Sequence, residues 1–169
     1  VTVNSDGEYT VGICQLVQHP ALDAATKGFI DTLKAKYGDK VTIIENNAQG
    51  DTTTCTTIVS NLVNKKVDLI MANATPALQA AVGGTRKIPI LGTSITEYGV
   101  ALGIKNFSGT VGKNISGTAD LAPLDQQAKM VKDLFPEAKT VALLYCSAEA
   151  NSKYQVKVIK DELVKLGIK

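Results

Sequence analysis

Short apolar runs alternate with helical stripes along the first half of the chain, and that alternation restricts the fold more than any other feature. Residues 9–16, 41–44, 67–71 and 88–92 have the length and the β-branched content of buried strands. Between them, Leu22, Ala25, Phe29 and Leu33 recur at helical spacing. Cys55, Ile58, Val59 and Leu62 stand at i, i+3, i+4 and i+7, and 77–82 is a further short helix former. Four βα units with short connections predict a doubly wound, parallel α/β sheet. After Gly92 the pattern loosens into Gly/Ser/Thr-rich sequence, with a short strand expected around 110–115. It then resumes as a stripe on Leu121, Leu124, Ala128, Val131 and Phe135, a strand at 140–145, and a stripe on Val156, Ile159, Leu163 and Leu166. A helix, a strand and a helix cannot enclose a core of their own. The expected organisation is therefore an N-terminal tether at 1–8, one whole α/β lobe at 9–115, and a crossover with the opening of a second α/β lobe at 116–169.

The stretch 69–81 is the centre of that pattern. An apolar run breaks at Asn73-Ala74 and gives way to helix formers. Thr75 is expected to be the N-cap and Pro76 the first helical residue, where its missing N–H costs nothing. A helix starting at a strand end aims free N–H groups and a positive dipole end at whatever lies beyond the sheet.

Composition narrows the partners. Charged residues are 20% of the chain and the net charge is +2, so there is no nucleic-acid footprint, and no apolar run has the length of a membrane span. The polar start at 1–8 lacks the pattern of an export signal and reads as a tether or a processed end. Cys14, Cys55 and Cys146 are odd in number and widely spaced, which predicts buried free thiols and no metal cluster. Neither cofactor nor metal is expected. A dinucleotide site would need glycines where this chain has Val17-Gln18-His19-Pro20, and a P-loop lysine is missing. His19 is the sole histidine and no Gly-x-Ser-x-Gly elbow exists, which argues against catalysis.

In open parallel sheets, ligands bind beyond the carboxyl ends of the strands. The residues expected there are Gln18, His19 and Asp23 after the first strand, Asn73, Ala74 and Thr75 after the third, and Thr93 and Ser94 after the fourth. Ser147, Glu149, Asn151 and Ser152 follow the strand of the second lobe. Small, hydrogen-bonding and acidic side chains suit a zwitterion or a polyol better than a phosphate cluster. Asp23, Asp120 and Glu149 are candidate counter-charges for an amine, and each reads equally as a helix-start carboxylate answering the dipole, Asp23 in particular standing in the first turn of its helix. Asn73-Ala74-Thr75, Asn106-Phe107-Ser108 and Asn114-Ile115-Ser116 match the glycosylation pattern, which we read as coincidence.

Several segments, taken in order, resemble one family. They are Val11-Gly12-Ile13-Cys14-Gln15 with His19-Pro20-Ala21-Leu22-Asp23, Ala72-Asn73-Ala74-Thr75-Pro76-Ala77, Pro89-Ile90-Leu91, Asn114-Ile115-Ser116-Gly117-Thr118, and Cys146-Ser147-Ala148-Glu149-Ala150-Asn151-Ser152. Together they resemble the extracytoplasmic substrate-binding proteins of ABC importers, tryptophan/tyrosine group, which have the type I periplasmic-binding fold. The resemblance implies two lobes closing about a hinge at Asn114, Ser116, Gly117 and Thr118. It places a ligand carboxylate at the Ala74-Thr75-Pro76 turn. Gln18, His19, Leu22 and Asp23 then line one wall, and Asn151 and Ser152 face them. It further implies an amino-acid-like ligand, aromatic by preference, a membrane permease as partner, no catalysis, and a periplasmic or lipid-anchored location. Members of that group are much longer. The 169-residue chain alone is therefore expected to bind weakly or not at all, and to self-associate through its second-lobe stripes. Two other classes remain open at this point: an enzyme on a flavodoxin-like sheet and the effector-sensing domain of a transcription regulator.

Overall fold

The computed structural model describes residues 7–169, so most of the expected tether lies outside the described residues. Two compact units divide at Asp120, the second being Leu121–Lys169. The first unit contains β1 (Tyr9–Gln15), α1 (Pro20–Tyr37), β2 (Val41–Asn47), α2 (Thr52–Asn64), β3 (Leu69–Asn73), α3 (Thr75–Gly84), β4 (Ile90–Ile95), α4 (Tyr98–Leu102) and β5 (Ile115–Ala119). The strands form one parallel sheet in the order β2-β1-β3-β4-β5.

Right-handed crossovers fix which face each helix covers. The chain moves one way from β1 to β2 and the other way at every later step. Hence α1 lies on one face and α2, α3 and α4 on the opposite face. The main core fills the three-helix side: Cys55, Ile58, Val59 and Leu62 of α2 and Ala77, Leu78 and Ala81 of α3 pack on Cys14, Ile70, Ala72 and Ile90 of the strands. Each fully buried Leu or Ile contributes about 1.5–3 kcal/mol. On the other face, α1 covers Val11, Ile13 and Met71, which are buried, and stops there. Beside it a groove of about 300 Å³, lined by Phe29, Met71, Leu91, Thr93, Ser116 and Thr118, runs over β4 and β5.

Several sequence expectations shift. Asn46 and Asn47, read as loop, extend β2 by pairing with Cys14 and Gln15. Thr93 and Ser94, expected beyond the fourth strand, lie within β4, where the pairing with β5 is irregular and Ser94 takes φ 55°. The strand expected at 110–115 forms instead at Ile115–Ala119. Ser116, Gly117 and Thr118 are thus strand residues, and the first unit extends past residue 115. Helix α4 was not foreseen.

Tyr98 of α4 ties this edge together. Its hydroxyl donates a proton shared between the carbonyls of Gly92, at 3.1 Å, and Thr118, at 3.2 Å. Burial, with Asp120 adding negative charge nearby, pushes its pKa from 10.0 up to about 12. Because the folded value is raised, this contribution is complete below pH 10.0 and is lost as the pH climbs toward 12. A shift of that size corresponds to about 2–3 kcal/mol. Tyr98→Phe is expected to cost about 1–2 kcal/mol near neutrality and to lack the alkaline loss. Urea denaturation of both proteins on either side of the transition checks this, and parallel alkaline losses would refute it.

The second unit has α5 (Leu124–Leu134) and α6 (Ala150–Lys165) packed on each other around Ala128, Leu163 and Ile168. The strand expected at 140–145 is not formed. Lys169 alone lies alongside it, donating to the Lys139 carbonyl at 2.9 Å and accepting from Val141 N–H at 2.8 Å. No ladder of this unit flanks the remainder. Leu144 is fully exposed, and Met130, Leu134 and Phe135 are more than half exposed. Cys146 is exposed, contrary to the expected buried thiol, because it follows that unpaired segment. Cys14 and Cys55 are buried, and the Cys14 thiol, donating to Cys55, is held well above its usual range.

Candidate functional site

The β3–α3 turn departs from its expected capping. Ala74, not Thr75, is the N-cap, and no side chain caps the helix. Ala74 sits at φ 93°, ψ 156°, a region that only glycine enters freely, and such strain costs on the order of 1–3 kcal/mol. Its N–H donates to the Thr93 carbonyl at 3.0 Å, which holds the turn against β4. Pro76 has no N–H, so the free donors of the first turn are Thr75 and Ala77. Thr75 is 2% exposed and its Oγ1 has no partner among the described residues.

A buried polar chain adjoins this turn. Asn73, the last residue of β3, has no exposed surface. Its Nδ2 donates to the Leu22 carbonyl at 2.8 Å and to Thr26 Oγ1 at 2.9 Å. Thr26 Oγ1 donates to Gln15 Oε1 at 2.6 Å. Gln15 Nε2 then donates to the Val17 carbonyl at 2.9 Å and to Asp23 Oδ1 at 2.6 Å. Asn73 Oδ1 has no partner among the described residues. These bonds join the start of α1 to the end of β3, so Leu22, Asp23, Asn73, Ala74, Thr75 and Thr93 are brought together as expected residues of one sheet edge. Gln18 is exposed and, with Asp23, Thr26 and Glu45, lines a polar cavity of about 380 Å³.

His19 is exposed and caps α1, its Nδ1 accepting from Ala21 N–H at 3.2 Å. Asn114 lies just before β5, where its Nδ2 donates to the Ile88 carbonyl at 2.8 Å. In the second unit, Ser147 is exposed, Asn151 and Ser152 stand in the first turn of α6, and Ser152 Oγ donates to Glu149 Oε2 at 2.9 Å. Asn151 Oδ1 is buried without a partner among the described residues. Sequence reasoning missed Gln15, Thr26 and Tyr98. Gln15 closing an apolar strand run and Thr26 interrupting an apolar helical stripe were the available signals. Nothing marked Tyr98.

A parallel sheet in this order, with its polar loops at the carboxyl edge, defines a lobe of the type I periplasmic-binding fold. The chain belongs to the ABC transporter substrate binding protein family, whose model matches residues 10–169. It is 41% identical to a tyrosine-binding protein of Clostridioides difficile (strain R20291), a match over 98% of this chain and 50% of that protein. A Streptococcus pneumonia ABC domain solved in complex with L-Trp superposes with a TM-score of 0.86 at 35% identity, over 95% of this chain and 55% of that one. A ligand-free, open substrate-binding protein with adhesive properties from Clostridium difficile superposes with a TM-score of 0.70 at 40% identity, over the same shares of each chain, 95% and 55%. This chain thus spans about half the length of the curated relative it matches. Proteins of the family are extracytoplasmic and bind their ligands without transforming them. The match lends no support to the flavodoxin-like enzyme or the transcription regulator.

Proposed function

We propose that this chain supplies the first ligand-binding lobe of an extracytoplasmic receptor that captures an aromatic amino acid and passes it to a membrane permease. The observation that carries the reading is the strained β3–α3 turn, which offers the Thr75 and Ala77 N–H groups at a positive helix end, bonded through Asn73 to a network that ends on Asp23. A zwitterion needs both poles: the turn takes its carboxylate and Asp23 its ammonium. Gln18, His19, Leu22, Thr93 and Ser94 complete this wall, and Ser147, Asn151 and Ser152 serve the second lobe. The hinge reading rests on Asn114, Ser116, Gly117 and Thr118 lying in or beside β5, the last strand before Leu121. Ligand contacts made only in the closed form would then favour closure, which the permease reads. Lipid anchoring of the full-length protein belongs to the same proposal.

The test is Thr75→Ala with Pro76 kept, made in the protein at its full encoded length. Calorimetric titration with L-tyrosine and L-tryptophan is expected to show binding weakened by about tenfold, the worth of one hydrogen bond from the otherwise unpartnered Thr75 hydroxyl to the ligand carboxylate beside the backbone donors. Unchanged affinity would remove the Thr75 hydroxyl from the site. The 169-residue chain alone is expected to pair with a second copy through Met130, Leu134, Phe135 and Leu144, which its second unit exposes. Light scattering giving the mass of one chain at high concentration contradicts that.

A further inference from the structure

We propose that Gln15, with Thr26 and Asn73 behind it, is a positioning residue that fixes the Asp23 carboxylate for the ligand's ammonium. The proposal rests on the site reading above and extends it to a residue outside the wall. Gln15 lines the cavity beside Asp23 but is only 3% exposed, and both protons of its amide nitrogen are already given within the protein. Every bond around it has a forced direction. The Leu22 carbonyl can only accept, so the Asn73 amide is pinned with its nitrogen toward α1, and both its protons are used. Thr26 therefore accepts from Asn73 and gives its own proton to Gln15 Oε1. That leaves the Gln15 amide nitrogen facing two acceptors, the Val17 carbonyl and Asp23 Oδ1. A carboxylate that has one oxygen tied at 2.6 Å loses its rotational freedom and presents the other in one direction. The same Asn73 adjoins Ala74, so the acidic pole and the helix start are held to one another by a single rigid chain of bonds. Recognition of an α-amino acid, with its fixed separation of charges, needs this preorganisation. A des-amino acid does not.

The test compares L-tyrosine with its des-amino analogue, 3-(4-hydroxyphenyl)propanoic acid, by calorimetric titration of the protein at full encoded length. Asp23→Asn is expected to weaken tyrosine about 10- to 100-fold and the analogue less than about twofold. Gln15→Met is expected to weaken tyrosine about tenfold with the analogue again spared. The double variant should be no weaker than Asp23→Asn alone, since Gln15 acts through Asp23. Thr26→Val, isosteric and less disruptive, should reproduce the Gln15 effect at smaller size if Gln15→Met fails to fold. Equal losses for both ligands, or additive losses in the double variant, would mean that Gln15 merely supports the fold. Equal binding of the two ligands by the unaltered protein removes the ammonium site while leaving a carboxylate-binding turn. Binding of neither overturns the functional reading itself.

Discussion

Gly117→Ala is expected to cost about 3–5 kcal/mol, the range of severe overpacking against atoms that cannot move aside. Gly117 stands opposite Gly92 in the β4–β5 ladder, at φ +153°. A Cβ added there would overlap the Gly92 carbonyl oxygen and the Tyr98 hydroxyl, and would come 2.7 Å from the Gly92 nitrogen. Two of these three are backbone atoms, and the third is buried and bonded across both strands. The sheet can admit the methyl only by releasing β5, and with it the segment read as the hinge. An unfolding free energy from urea denaturation within about 1 kcal/mol of the parent protein would show that β5 is not held as described. Gly92→Ala meets the same hydroxyl at 2.5 Å but no backbone atom, so it should cost less than Gly117→Ala.

Asn73→Asp changes one atom and is expected to destabilise by about 3–5 kcal/mol at neutral pH, the cost of burying an uncompensated charge or of protonating the acid to avoid it. The amide nitrogen that donates to the Leu22 carbonyl and to Thr26 becomes an oxygen, so a carboxylate faces a carbonyl across 2.8 Å at a fully buried position. Such an acid holds its proton, and its folded pKa lies above its unfolded one. The sign follows: the variant's stability is greatest below the unfolded carboxylate value and falls as the pH rises through the folded value. Its deficit against the parent should therefore narrow in acid. Asn73→Ala, which strands the Leu22 carbonyl without adding charge, should cost less and show no such narrowing. Denaturation curves for the three proteins at acid and neutral pH decide it. A deficit for Asn73→Asp that is independent of pH would mean that the position is solvated.

The βα alternation carried the fold of the first unit because α1 and α2 show apolar stripes and the central strands β1 and β3 are largely apolar and buried. It failed where tertiary bonds overrode local pattern. Asn46 and Asn47 look like loop residues, yet the β1 edge gives their backbone a ladder. Thr93 is held in β4 by its pairing with Asn73 of β3, and Ser94 falls in the irregular stretch between Gly92 and Ile95 where β4 and β5 lose register. At the site, residue types and spacing pointed to the β3–α3 turn and to Asp23. They did not reveal that Thr75 lies inside the helix or that Ala74 bears the strain, since dihedral angles are set by the Ala74–Thr93 bond between strands. Gln15 and Thr26 were invisible as partners because eleven residues of chain separate them and only the fold brings them together. The strand expected at 140–145 has the right composition and nothing in its own unit to pair with beyond Lys169.

The one-sided cover of the sheet also sets an order of opening. Amides of β1 and β3 are flanked by strands on both sides and shielded by helices on both faces, so they should exchange with deuterium only through global unfolding. Strand β5 is at the margin, with Ser116 and Thr118 exposed and no helix of its unit over that face. Its amides should exchange through a local detachment that leaves the Asn73–Gln15 network intact. The first unit thus combines a slow-exchanging recognition edge with a fast-exchanging margin, and the margin is where the chain departs for the second unit.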